Sequence, residues 1–272
     1  MKVLILSDFH LGNRNSKSYG MMDGIARLAR SFDRVILNGD SLDRYEKPNC
    51  TPDAPKLLQD ITTACASSSA PPELLPGNHD PAISDVHWIY LKESATLIFH
   101  GDFIADCTHP SEEFDQKQAA HLAERWAELG GRPRNFADLA IQYRTAQRAH
   151  LADSPADREG QTFVEYMTRN LIPPWQPFQI LAYIYNAPRR LAELAKTFGE
   201  PVRHVVAGHT HRPGCWRIDG MTVFNTGSFM PLSTPNAVIV EGERVYSRPL
   251  KDLLLSHRTV AEPLKERPQT GV

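Results

Sequence analysis

The strongest constraint in this sequence is a recurrence. Short apolar runs stop, one after another, on polar clusters built from Asp, His, Asn and Gly. Residues 3–6 (VLIL) stop at Ser7-Asp8-Phe9-His10, and residues 35–37 (VIL) at Asn38-Gly39-Asp40. Leu74-Leu75 lead into Pro76-Gly77-Asn78-His79-Asp80, residues 95–99 (ATLIF) into His100-Gly101-Asp102, and residues 202–206 (VRHVV) towards Gly208-His209-Thr210-His211. A short apolar run closed by loop-forming residues reads as a buried strand. Helical spacing of apolar residues predicts helices over 21–32 (Met22, Ile25, Leu28, Ala29, Phe32) and 55–66. Strands alternating with helices imply an α/β chain whose sheet is largely parallel and covered on both faces.

The pattern changes after about residue 110. Residues 111–200 hold no convincing strand and several helical stretches, such as 112–129 and 135–152. Strand character returns at 202–206, then in short segments at 214–218, 221–224, 236–240 and 244–247, with Asp219-Gly220 and Gly242-Glu243 placed as hairpin turns. The expected organisation is one domain over 1–248 with a helical insert at about 110–200, and a C-terminal tail over 249–272 that is loosely ordered at its end.

Each polar cluster falls at the C-terminal end of an expected strand, which is where open α/β sheets place their ligands. Carboxylate, imidazole and amide oxygen together suit divalent Mn, Fe, Zn or Co, with Mn the first expectation. A carboxylate can bridge two ions through its two oxygens, and glycine lets the backbone approach a crowded site. Taken singly, Asp8 or Asp40 reads as a turn or capping residue; five such clusters in order point to metal binding. Asp43, Asp80 and Asp102 are candidates for supporting roles behind the ligands, with Asp43 or Asp80 orienting a site histidine. Arg212, which follows the last cluster, is a candidate phosphate contact. His87, His109, His121, His150, His204 and His257 are set aside as structural or exposed.

The motif order D-x-H, G-D-x-x-D, G-N-H-D, H-G-D, G-H-T-H resembles that of the calcineurin-like metallophosphoesterases over roughly residues 1–105 and 200–247. The resemblance implies a sandwich of two packed sheets flanked by helices, with a helical insertion. It implies that Asp8, His10, Asp40 and His211 hold one divalent ion, and that Asp40 bridges to a second held also by Asn78, His100 and His209. It further implies hydrolysis of a phosphoester by a hydroxide shared between the two ions, about 3.5–4 Å apart, with His79 as the acid for the departing oxygen. No protein nucleophile is then needed.

The insert carries Leu171, Ile172, Trp175, Phe178, Ile180, Leu181, Tyr183, Ile184, Tyr185, Leu191 and Leu194, apolar residues on more than one helical face. Pro188 is expected to open a second short helix ending near Gly199. Two readings stand: ordinary packing, or a lid facing an apolar substrate or a membrane, with Trp175, Phe178, Arg189 and Arg190 as candidate substrate contacts. This stretch is similar to the insert of the UDP-2,3-diacylglucosamine pyrophosphatases, a branch that also shares H-G-D and G-H-T-H-R-P. That branch typically has arginine where this chain has His79. The first expectation is therefore a phosphomonoesterase or phosphodiesterase acting on a phosphorylated small molecule. The alternative is a pyrophosphate hydrolase acting on a lipid-linked nucleotide. A scaffold of the same fold without turnover is disfavoured by the complete set of candidate ligands.

Net charge is −2 over 272 residues and no long like-charge run appears, which argues against a dedicated nucleic-acid surface. Cys50, Cys65, Cys107 and Cys215 form no C-x-x-C pair, which fits a reducing, cytoplasmic setting. The first apolar run is too short for a signal peptide and no run is long enough to span a bilayer, so any membrane contact is expected to be peripheral, through the insert.

Overall fold

In the computed structural model, residues 1–43, 54–104, 113–153 and 176–261 are described. The apolar runs form strands β1 (Lys2–Leu6), β2 (Arg34–Asn38), β3 (Glu73–Leu75), β5 (Thr96–Ile98) and β6 (His204–Ala207). They are joined by β4 (Ile89–Leu91), β7 (Gly214–Ile218), β8 (Met221–Asn225), β9 (Asn236–Glu241) and β10 (Arg244–Pro249). The helices are α1 (Met22–Ala29), α2 (Ala54–Ala64), α3 (Glu113–Glu128), α4 (Phe136–Asp153), α5 (Gln176–Ala195) and α6 (Leu250–Ala261).

The strands divide into two five-stranded sheets, ordered β10-β9-β1-β2-β3 and β4-β5-β6-β8-β7. The expectation of one largely parallel sheet is thereby corrected. Among the described strands, β1–β2, β2–β3, β5–β6 and β6–β8 pair in parallel, and antiparallel strands flank them. The two-sheet sandwich of the family resemblance is what forms.

The period-two alternation of a strand explains the layers. Val3 and Ile5 of β1 join Ile36, Ile98, Val206, Phe224 and Val238 between the sheets. Leu4 and Leu6 face outward into a second core with Ile25, Leu28, Ile61 and Phe229. On the far side, Leu97, Val205 and Val223 meet Leu122 of α3, Phe136 and Tyr143 of α4, and Ala187, Leu191 and Ala195 of α5. Strands buried on both faces have no polar side to show, which is why their sequences read as continuous apolar runs.

Three local outcomes differ from the sequence reading. Helix α5 runs through Pro188 rather than restarting there. The ring removes one backbone hydrogen bond, but Ala187 just before it and Leu191, Ala192 and Ala195 beyond it are buried and hold the helix in line. Residues 250–261 of the expected tail form α6, whose Leu250 and Leu253 belong to the α1 core. Ile89–Leu91, read as no element, is an edge strand paired with β5. The two hairpin turns form as expected, with Asp219, Gly220 and Gly242 at positive φ.

Candidate metal centre

The backbone gathers the polar clusters before any side chain is considered. Beyond β1 and β2 the chains stay paired: Asp8 N donates to Gly39 O at 3.0 Å and His10 N to Asp40 O at 2.9 Å. In the second sheet, Gly208 N donates to His100 O at 2.9 Å. Asp8, His10, Asp40, His209 and His211 all take positive φ, between 48° and 65°. Left-handed backbone costs a non-glycine residue on the order of 1 kcal/mol or more, and such residues cluster where side chains must be aimed. Two glycines make room for the result. A Cβ on Gly77 would strike the Asp40 carboxylate, and one on Gly208 would strike that of Asp8.

Asp8, His10, Asp40 and His211 each offer a ligand atom, all within 4.8 Å of one another. His211 Nε2 lies 3.2 Å from Asp8 Oδ1 and 3.1 Å from His10 Nε2, and His10 Nε2 lies 3.8 Å from Asp40 Oδ2. On the other side of Asp40, His100 Nε2 approaches Oδ2 to 3.2 Å. His209 Nδ1 and Asn78 Oδ1 sit together at 2.9 Å, and the rings of His100 and His209 are 5.5 Å apart. Asp40 thus stands between the two sets named from the sequence.

The donors fit divalent ions. His100 Nδ1 donates to the carbonyl of Asn38 at 2.8 Å, which leaves the buried Nε2, 3.2 Å from Asp40 Oδ2, as the nitrogen that an ion can take once its proton is displaced. Asp8 and Asp40 are fully buried carboxylates, and buried charge requires a counter-charge. In the ion-free protein the charge on His100 supplies part of it. Burial alone would raise both carboxyls. His211 and His100 nevertheless hold Asp8 below the usual range, and His100, His79 and His10 hold Asp40 well below it. Burial would likewise lower His100, but Asp40 outweighs it and raises the ring to about 10. His209 moves the other way, to about 4, through burial and the charge on His100, so it stays neutral and able to ligate.

The three supporting aspartates part ways. Asp43 faces histidines: its Oδ1 is 3.1 Å from His79 Nδ1 and its Oδ2 is 3.5 Å from His10 Nδ1. Asn13 Nδ2 also donates to Asp43 Oδ2 at 3.1 Å. Burial would raise Asp43, yet His79 and His10 hold it far below the ordinary carboxylate range. Asp80 instead clamps backbone, accepting from the N–H groups of Asp40, Ser41, Leu42 and Gly77 at 2.8–3.1 Å. Burial and the charge on Asp40 raise its carboxyl, against those backbone donors. Asp102 takes a two-pronged ion pair from the buried Arg144 of α4, at 2.9 and 3.0 Å, and accepts from Gln147 at 3.0 Å.

Arg144 was not singled out from the sequence, although a charged residue on the buried face of an amphipathic helix is a signal in itself. Its guanidinium also donates to the carbonyls of Gly77 at 2.7 Å and Pro76 at 3.0 Å, so α4 grips the loop that carries Asn78 and His79. Arg148 extends the grip by donating to the carbonyls of Pro81 and Ser84.

The candidate substrate residues are dispersed. Trp175 lies outside the described residues. Phe178 is 72% exposed on α5, on one face with Leu181 and Tyr185. Arg189 pairs with Glu193 on the helix surface. Arg190 lies over the Tyr183 ring at 5.9 Å. Arg212 sits 4.2 Å from the Tyr185 ring centroid and 5.2 Å from that of Trp216, which fixes it beside the last ligand loop. Among the described residues, no helix is long and apolar enough to cross a membrane.

The profile of the calcineurin-like phosphoesterase superfamily domain matches residues 1–243. No curated protein matches the chain. Among solved structures, the chain is similar to YfcE, a phosphoesterase from E. coli, at 12% identity over 93% of this chain and 95% of that one, with a TM-score of 0.43. It is also similar to zinc-complexed Vps29 of Entamoeba histolytica, at 15% identity over 93% and 94%, with a TM-score of 0.37. On this match, which spans every candidate ligand and β1 to β9, the chain belongs to the calcineurin-like phosphoesterase superfamily and is a metal-dependent phosphoester hydrolase.

Proposed function

We propose that this chain hydrolyses a phosphomonoester or phosphodiester at a pair of divalent ions, Mn being the first expectation. Asp8, His10, Asp40 and His211 would hold one ion, and Asp40, Asn78, His100 and His209 the other. The observation that carries the reading is the position of Asp40, whose Oδ2 lies 3.8 Å from His10 Nε2 and 3.2 Å from His100 Nε2, so one carboxylate serves both ligand sets. When bound, the ions supply an acidified water and positive charge for the phosphoryl oxygens.

The chain's own groups do the rest. Asp43 accepts from His79 Nδ1 at 3.1 Å, which orients the imidazole. His79 keeps 22% of its side chain exposed, against 1% for Asp43, so the ring is reachable from solvent while its partner is fixed. A protonated imidazole in that setting can give its proton to a departing alkoxide. The loop that holds it is anchored twice, by His79 N donating to Asp40 Oδ1 at 2.9 Å and by the Asp80 clamp.

A second reading, a pyrophosphate hydrolase acting on a lipid-linked nucleotide, is favoured by one observation. Phe178, Leu181 and Tyr185 are more than half exposed on α5, the helix whose Tyr183 reaches His209. Tyr183 itself lies on the opposite side of α5, but Tyr185 of the exposed face packs against Arg212, next in sequence to the candidate ligand His211, so an apolar substituent there would adjoin the last ligand loop.

The test is metal analysis together with turnover of an aryl phosphate, its methyl diester and a lipid-linked diphosphate, with Mn added. About two ions per chain and Mn-dependent release from an aryl ester are expected. Two bound ions without turnover of any phosphoester would overturn the reading, and turnover confined to the diphosphate would select the second.

A further inference from the structure

We infer that Tyr183 is a positioning residue of the metal centre: its hydroxyl pins the His209 ring through Nε2, and so makes the helical insert part of the second ion's site. The inference rests on the two-ion reading above and assigns a role that the five sequence motifs do not contain.

The Tyr183 hydroxyl lies 2.9 Å from His209 Nε2. The ring's other nitrogen, Nδ1, lies 2.9 Å from Asn78 Oδ1. Both ends of the imidazole are therefore held, and Nδ1 is the nitrogen kept beside a second candidate ligand. The phenol and imidazole rings meet edge-on at 90°, so the contact is made through the hydroxyl rather than by stacking. A hydroxyl both donates and accepts. It can donate to Nε2 while Nδ1 carries the proton, and accept from Nε2 once the Nδ1 lone pair is given to an ion. Asparagine or lysine at 183 would lack the reach or the acceptor, and phenylalanine would lack both functions.

The comparison with His100 gives the role its meaning. His100 Nδ1 donates to the Asn38 carbonyl at 2.8 Å, a partner supplied by β2 itself. For His209 the corresponding partner is a side chain 26 residues upstream, on the insert. It is delivered from a rigid element, because Ala187, Leu191 and Ala192 are buried immediately beyond it on α5. Partners of this kind fix the ring orientation of a metal-binding histidine, and their loss typically weakens metal affinity about 10–100-fold.

The experiment is calorimetric titration of Mn into the metal-free full-length chain, parent and Tyr183→Phe side by side, with thermal melts of both metal-free proteins. The parent is expected to show two binding steps. In Tyr183→Phe one step should weaken about 10–100-fold while the other is unchanged, and the metal-free melt should match the parent's. A Tyr183→Phe chain that binds both ions as the parent does overturns the proposal and leaves the two-ion reading standing. Equal weakening of both steps, or a lowered metal-free melt, shows a packing role and also overturns it. A parent that binds fewer than two ions sinks the two-ion reading and this inference together.

Discussion

The strand edges and the helical insert contribute to the same centre by different means. The strand edges supply every candidate ligand, each two to four residues beyond the end of a strand and five of them on left-handed backbone. The insert supplies none. It contributes Tyr183, at 2.9 Å from a candidate ligand, and Arg144, which holds the carbonyls behind Asn78 and His79. The candidate ligands are fixed by local chain geometry, whereas the insert's contributions exist only because two helices dock across the sheet. Mutations on the two sides should therefore fail differently: the first in ion binding, the second in stability or alignment.

The sharpest break of this comparison is Asp40→Ala. It removes a group shared by both candidate ligand sets and leaves His10 and His100 facing each other without their carboxylate. Both ions are expected to be lost, with the greatest fall in turnover of any single ligand change. Elemental analysis with turnover measured for each ligand variant checks this. Full occupancy in Asp40→Ala would place the ions elsewhere.

His79→Ala comes next, because it separates the proposed proton donor from the candidate ligands. Ion content should be unchanged. Turnover of an alkyl phosphoester should fall roughly 10²–10⁴-fold, and that of a nitrophenyl ester much less, since nitrophenolate departs without a proton. Asp43→Asn should reproduce part of the loss, because it weakens the grip on His79 Nδ1. Equal losses on both esters would assign His79 to phosphate binding or to the ion shell instead.

On the insert side, Arg144→Met should cost stability before chemistry. The substitution strands Asp102 as a buried, unpaired carboxylate, and breaking such a pair costs on the order of 3–5 kcal/mol. The double variant Arg144→Met, Asp102→Leu should recover much of it, as removal of both charges is often close to neutral. Denaturant unfolding of the two variants decides the matter; no recovery in the double variant would mean that the contacts to Pro76 and Gly77 carry the stability instead.

How much of this was legible follows from the same contrast. The gathering of Asp8, His10, Asp40, Asn78, His100, His209 and His211 at one edge could be read because a strand end places its next few residues by covalent geometry. The separation into two sheets was not carried by the apolar runs, since a strand buried on both faces looks the same in one sheet or in a sandwich; the family resemblance carried it. Asp80 and Asp102 were indistinguishable from Asp43 in sequence, all three being aspartates near a ligand. Only the fold sends one to a histidine, one to backbone N–H groups and one to Arg144. Tyr183 was visible only as one apolar residue in a long apolar stretch. Its hydroxyl gains significance from a partner on β6's loop, which helical periodicity does not report.

Protonation sharpens the picture of the ligand side with a smaller, graded effect. Burial disfavours a charged His100, but Asp40 outweighs it and lifts the ring to about 10, so the ion-free protein carries that proton at neutral pH. The sign follows directly: an ion taking Nε2 must displace the proton, so apparent affinity should rise with pH between about 7 and 10, at up to about tenfold per unit for one proton released. Calorimetry in buffers of different ionisation enthalpy counts the protons. No release at pH 7 would mean that His100 is already neutral, and that another group balances Asp40.

The smallest expected effect concerns the exposed face of α5. Phe178, Leu181 and Tyr185 recur at spacings that put them on one side of the helix, at 72%, 52% and 68% exposure. Arg212 lies against Tyr185 and is adjacent in sequence to His211, so this face adjoins the ligand loops rather than a remote surface. If a substrate carries an apolar group, covering part of Phe178 and Leu181 would remove apolar area from water at about 25 cal/mol per Å². Phe178→Ser with Leu181→Ser should then raise KM for a long-chain phosphoester by about tenfold, equivalent to roughly 1.4 kcal/mol. KM for a small aryl phosphate and the melting temperature should stay where they are, because side chains this exposed contribute little to folding. Initial-rate kinetics on the two substrates, with a melt as control, read the difference. Equal KM changes on both substrates, or none on either, would leave this face as ordinary solvated surface and confine the insert's role to Tyr183 and Arg144.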